Sequence, residues 1–125
     1  NINDVITVCD RAENYMKDHL NEFDIVLSRA VAYADIITSL SVPFIKKSGV
    51  IILMKGNYEG ELKILNTYKN ELNISSIDII NYDILSNENN RSLIIIKKSN
   101  ESSKVVNYAK LLKQSENRRK KLNLK

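Results

Sequence analysis

Tryptophan is absent from this 125-residue chain, and cysteine, histidine and proline each occur once. The lone Cys9 excludes an internal disulfide, and one cysteine with one histidine leaves almost nothing to ligate a transition metal. Glycine is nearly as scarce. Gly49, Gly56 and Gly60 make neither a phosphate loop nor a dinucleotide-binding turn. Long apolar runs are missing too: the longest, Val50–Met54, has five residues, against the ~20 that a membrane-spanning helix requires. Acidic residues scatter without a recognisable pair, and no Ser/His/Asp arrangement offers a nucleophile. His19, set among polar residues, reads as an exposed helix position rather than a proton carrier. Cys9 closes an apolar stretch and reads as a small buried hydrophobe in a reducing compartment, so a cytoplasmic setting is expected.

What is present is an ordinary globular composition, 43% hydrophobic and 27% charged, enough for one domain with a modest core. The net charge of +4 is unevenly spread. Residues 104–125 hold eight Lys/Arg and one Glu, whereas residues 1–103 hold eleven basic against fourteen acidic residues. All the excess positive charge therefore lies in the tail, where a basic run reads first as a solvated, solubilising end.

Five stretches read as strands, apolar and β-branched between polar or glycine boundaries: Val5–Cys9, Phe23–Leu27, Val50–Met54, Ile77–Tyr82 and Leu93–Ile96. The second, third and fifth are nearly continuous apolar runs, as expected of central strands covered on both faces. The fourth alternates and suits an edge or antiparallel strand. Helical spacing appears over Val31–Lys47, with Pro43 ending it and Gly49 as a stop, and over Glu59–Leu72; a short helix suits Arg11–Leu20. The alternation of strand and helix argues for an α/β sheet, mostly parallel, closed by an antiparallel hairpin around Ser86–Asn90. Residues 1–98 form the body of this reading. Residues 99–125 are a polar linker and a basic tail, helical from Val105 and solvated over its last ten residues. The chain opens almost inside a strand, so it is expected to be the second half of a larger unit.

In open α/β sheets, ligands bind beyond the carboxyl ends of the parallel strands. That rule selects Arg11 after the first strand, Arg29 in Ser28-Arg29-Ala30 after the second, Lys55 before Gly56 after the third, and Arg91 at the start of the last, antiparallel strand. Four cations would then share one rim and take an anion. Each also has a plainer reading: Arg11 as a helix-start salt bridge, Lys55 and Arg91 as solvated loop residues. Arg29 follows a buried run and is the hardest to dismiss.

The succession "CDRAENY", "FDIVLSRAVA", "LSVPFIKKSGVIILMKG", "EGEL" and "NRSLIIIKK", over roughly residues 4–98, resembles the carboxyl-terminal half of the glucose-inhibited division protein B family, bacterial small-subunit (16S) ribosomal RNA guanine-N7 methyltransferases. The resemblance implies a class I, Rossmann-like methyltransferase fold and S-adenosylmethionine as cofactor. It implies Ala12 and Glu13 beside the cofactor's adenine, Arg29 at the cofactor and methyl-transfer site, and Arg11, Arg29, Lys55 and Arg91 as the basic pocket for RNA. The partner would be ribosomal RNA or the small ribosomal subunit, with no metal and no membrane, and a monomer is expected. Two departures accompany it. The family's glycine-rich cofactor loop does not occur in this chain, and a Tyr-Pro-Arg tail found in some members is replaced by "NYAKLLKQSENRRKKLNLK". Two other readings stand beside it: a non-catalytic RNA-binding module on the same half-fold, and a class I methyltransferase with another acceptor.

Overall fold

The computed structural model describes residues 4–29, 33–56, 59–82 and 91–124. Four strands, β1 (Phe23–Arg29), β2 (Ile45–Lys55), β3 (Ile74–Tyr82) and β4 (Arg91–Lys98), form one sheet in the order β1-β2-β4-β3. β1 and β2 run parallel, while β4 is antiparallel to both of its neighbours. The α/β class and the closing antiparallel pair are as the sequence implies, and β3 is the edge strand that its alternation suggests. The expected predominance of parallel pairing is not found, because one junction of three is parallel. The hairpin loop falls at residues 83–90, outside the described residues.

Val5–Cys9 is the reason. It is not a strand here; it runs irregularly with Val5 62% and Ile6 85% exposed, and Cys9 is exposed rather than buried. A strand needs a neighbour to take its backbone hydrogen bonds. The described residues supply none at this segment, so β-propensity alone does not make a strand.

Four helices accompany the sheet: α1 (Ala12–Tyr15), continued by a 3-10 turn over Met16–Asp18, α2 (Ala34–Ser41), α3 (Glu59–Thr67) and α4 (Tyr108–Lys121). α2 stops well before Lys47. Pro43 lacks the N–H that an α-helix interior needs, so Val42–Phe44 tightens into a 3-10 turn and Ile45 is already extended. Gly49 is not a helix stop but an interior residue of β2, opposite an irregularity in the β1 register. A Cβ there would lie 2.7 Å from the Asp24 carbonyl oxygen and 3.1 Å from those of Phe23 and Lys46. The close backbone approach requires glycine.

Side-chain alternation divides the sheet. Ile51, Leu53, Ile94 and Ile96 point to one face and pack with Ala34, Val42, Leu65 and Leu72 into a continuous core. Burying such side chains is worth roughly 1.5–3 kcal/mol each. The opposite face has no such cover among the described residues. Ile25 and Leu27 of β1 are 58% and 61% exposed, so β1 is an edge strand bare on one side, not a central one.

Two asparagines in the left-handed region, Asn21 (φ 53°) and Asn73 (φ 62°), pin the polar linker to the body. Asn21 Nδ2 donates to the Ser102 carbonyl, and Asn21 Oδ1 accepts from the Ser102 N–H and from Lys98 Nζ. Asn73 Nδ2 donates to the Asn100 carbonyl while its Oδ1 accepts from the Asn100 N–H. The chain beyond is thereby aimed back across α2.

Candidate functional site

β1 and β2 run the same way and β4 runs against them, so Arg29 and Lys55 at two carboxyl ends and Arg91 at an amino end lie on the same rim. The register makes this explicit: Arg29 is opposite Met54, Lys55 opposite Ser92, and Arg91 opposite Tyr82. Arg29 is level with Leu93 through Met54, so Arg91 stands two strands across and two residues along, roughly 12 Å away. Three of the four cations selected from the sequence thus share a rim, with Arg29 and Arg91 in phase with the bare face and Lys55 in phase with the core face.

Their surroundings differ. Arg29 is exposed, as a residue addressing a ligand from the strand end would be. Arg91 is half-buried. Lys55 is buried, its side chain only 7% exposed, and its Nζ lies 2.9 Å from Glu61 Oε1 on α3. That same oxygen accepts the N–H of Ala34 at the start of α2, 3.1 Å away. Glu61 therefore ties the end of β2 to the amino ends of two helices. Its other oxygen, Oε2, is buried and accepts no hydrogen bond among the described residues. Ser92, next to Arg91 on the adjoining row, donates its hydroxyl to Asn81 Oδ1 at 2.8 Å and fixes the β3–β4 edge of the rim.

Arg11 is elsewhere. Its guanidinium pairs with Glu13 at 3.1 Å and stands over the Tyr108 ring, 5.5 Å from its centre. The partnership and the backbone hydrogen bond at Glu13 hold the Glu13 carboxyl below its ordinary range, the backbone bond being the larger cause. α1 packs beside the amino end of β1, through Tyr15 against Phe44 and His19 against Phe23. Arg29 lies six residues beyond Phe23 along the strand, about 20 Å. Arg11 and Glu13 thus lie away from Arg29, and no described contact joins Ala12 or Glu13 to it. His19, expected to be exposed, is half-buried: its ring stacks on Tyr15 at 4.0 Å and its Nδ1 meets Glu22 Oε2 at 2.6 Å.

Sequence reasoning passed over a second polar cluster, behind the rim. Asp35, in the first turn of α2, is wholly buried and accepts hydrogen bonds from the Ser115 hydroxyl and Arg118 Nη1 of α4, each 2.9 Å long. Arg118 also reaches Glu71 at 2.9 Å, and Arg119 lies over the Tyr33 ring at 3.5 Å. The one readable signal was Asp35 near a helix start, where a carboxylate is favoured by the helix dipole. Nothing local announced that its partners lay some eighty residues away.

An α/β sheet in the order β1-β2-β4-β3, with a cationic rim at the strand ends, is consistent with a methyltransferase-type fold. Residues 1–63 match the sequence profile of the family described as "GidB: rRNA small subunit methyltransferase G", and the chain belongs to that family. Curated relatives named "Ribosomal RNA small subunit methyltransferase G" agree. That of Clostridium botulinum (strain Loch Maree / Type A3) is 34% identical over 106 residues, 82% of this chain and 44% of the relative. That of Petrotoga mobilis is 33% identical over 99 residues, 78% of this chain and 44% of the relative. The Mycoplasma capricolum protein is 42% identical over 81 residues, 63% of this chain and 34% of the relative. The chain spans less than half the length of these curated relatives.

Proposed function

We propose that the chain contributes the RNA-facing part of a class I, S-adenosylmethionine-dependent methyltransferase acting on N7 of a guanine in small-subunit ribosomal RNA. The observation supporting this reading is that Arg29, Lys55 and Arg91, far apart in sequence, stand at one rim of a sheet from this family. Guanine N7 presents a lone pair in the major groove and needs no deprotonation, so transfer to it asks for orientation rather than a general base. The methylated base gains positive charge, so a free cation pressed against it would oppose the reaction. Arg91 and Lys55 are therefore assigned to phosphates, with Glu61 holding the Lys55 ammonium in place. Arg29, exposed at the end of β1, is assigned to the junction of base and cofactor. Arg11 is assigned to phosphate contact apart from the rim, and Ala12 and Glu13 to the adenine side of the cofactor.

The test is methyl transfer by the full-length protein to undermethylated small subunits, with cofactor binding measured separately. Arg29→Ala is expected to reduce transfer without loss of fold. Arg91→Ala is expected to weaken RNA binding and to make its salt dependence shallower by about 0.7–0.9 in log–log slope. Lys55→Ala also strips the buried Glu61 of its cation, so Arg91 is the cleaner probe. The separation of Ala12 and Glu13 from Arg29 favours a second reading, a non-catalytic RNA-binding module. Tight RNA binding with no methyl transfer would select it.

A further inference from the structure

The folded tail carries a surface that the rim does not use. At about 100° per residue, Lys110, Lys113, Asn117, Lys120 and Lys121 fall within an arc of about 100° on α4. All five are exposed, whereas Leu111, Ser115 and Arg118 on the other side are buried against the body. Among the described residues Lys110, Lys113 and Lys121 make no ion pair, and Lys120 meets only the exposed Glu116, at 3.3 Å. The two arginines of the tail are sequestered inward on Asp35, Glu71 and Tyr33. The tail's positive charge is thus sorted: arginines fasten the helix and lysines face outward. A merely solubilising end needs no buried Asp35–Arg118 pair to hold its orientation.

We infer that this lysine face of α4 is a second phosphate-backbone contact for RNA, reaching the neighbourhood of the rim at its carboxyl end. Arg119 stacks on Tyr33, just before α2, and Leu124 comes within 4.0 Å of where a Cβ on Gly60 would stand, at the start of α3. α4 therefore ends beside the helix starts that Glu61 ties to Lys55. From Lys110 to Lys121 the lysines extend over about 16 Å of helix, rigidly spaced rather than floating. An anionic membrane would also attract lysines, but binding in a bilayer requires an apolar helix face turned outward. On α4 Leu111 is turned inward, and Leu112, 42% exposed, stands alone outside the lysine arc, too little for an apolar face. The inference rests on the RNA reading of the rim for its partner and adds a surface to it.

The test uses the full chain and a short fluorescein-labelled RNA hairpin, with anisotropy titrations at several salt concentrations. Replacing Lys110, Lys113, Lys120 and Lys121 together by Gln is expected to make the log–log salt slope shallower by about 3. A control replacing Lys17, Lys47, Lys63 and Lys97 by Gln removes the same charge elsewhere on the surface and is expected to change it by less than half as much. Acetylation footprinting of the unmodified chain needs no folded variant, and RNA is expected to protect the four α4 lysines more than the control four. Equal slope changes in the two variants, or equal protection, would overturn the inference. So would tighter binding to phosphatidylglycerol vesicles than to the hairpin. Binding that is weakened by Arg91→Ala but leaves the α4 lysines unprotected would sink the tail contact while sparing the rim; no RNA binding at any salt would remove both.

Discussion

Asp35 is a carboxylate with almost no water around it, and its charge is answered by Arg118, whose side chain is 6% exposed. Removing one member of a buried pair leaves the other uncompensated, at a typical cost of about 3–5 kcal/mol. Glu71 stays as a second partner for Arg118, so Asp35→Ala is expected at the low end, about 3 kcal/mol in a urea melt. Glu71, itself half-exposed, is expected to cost under about 1 kcal/mol when changed to Ala. Equal losses would contradict this ranking. Lys98 is a further buried charge, 3% exposed, with Asn21 Oδ1, the Val42 carbonyl and Ser102 Oγ accepting its three protons. Burial lowers its pKa below the usual 10.5, outweighing the opposing pull of Glu101. Below the folded pKa both states are protonated and the burial penalty is full. Between the folded pKa and 10.5 the unfolded chain binds more protons, so stability rises with pH. The urea midpoint of the native chain should therefore gain on that of Lys98→Met as pH climbs towards 10.5; a flat or falling difference would exclude this account.

Among the elements, β1 and α4 depart furthest from expectation. β1 has the composition of a central strand but lies at an edge, with Ile25 and Leu27 in the open and Val26 turned towards the core. Changing Ile25 and Leu27 to Thr is expected to cost less than about 0.5 kcal/mol each. Leu53→Ala, deep in the core, is expected to cost about 2–5 kcal/mol. A large loss at Ile25 would mean that the bare face is covered in solution. β2, β3 and β4 were legible in the sequence because each carries its own pattern and pairs with a described neighbour. Val5–Cys9 was misread because pattern reports what a segment can become, not whether a partner is there to pair with it. The boundary of α2 was misplaced for a local reason, the tight turn at Pro43. α4 was legible as a helix, yet its basic end was read as solvated, since the pairing of Arg118 with Asp35 is a long-range fact.

For the whole molecule, the sheet has helices over one face and apolar side chains standing bare on the other. Contiguous exposed apolar surface of this kind binds hydrophobic dyes. The native chain is expected to enhance the fluorescence of an anilinonaphthalene sulfonate, and the Ile25→Thr/Leu27→Thr double variant to enhance it less. Identical signals would place the dye elsewhere. The site follows the same division between near and far. The rule of strand ends was enough to gather Arg29, Lys55 and Arg91, since it needs only strand direction. Arg11 escaped it because its strand did not form, and Glu61 because its role depends on two helix starts that no short window displays.

The return of α4 has a practical consequence for how the protein is handled. Leu124 lies against the start of α3, so a group attached at Leu124 would stand beside the helix starts that border the rim. A bulky or acidic group placed there would compete with the proposed RNA for the nearby cations. A small dye at the same position would instead test whether RNA arrives at the rim as proposed.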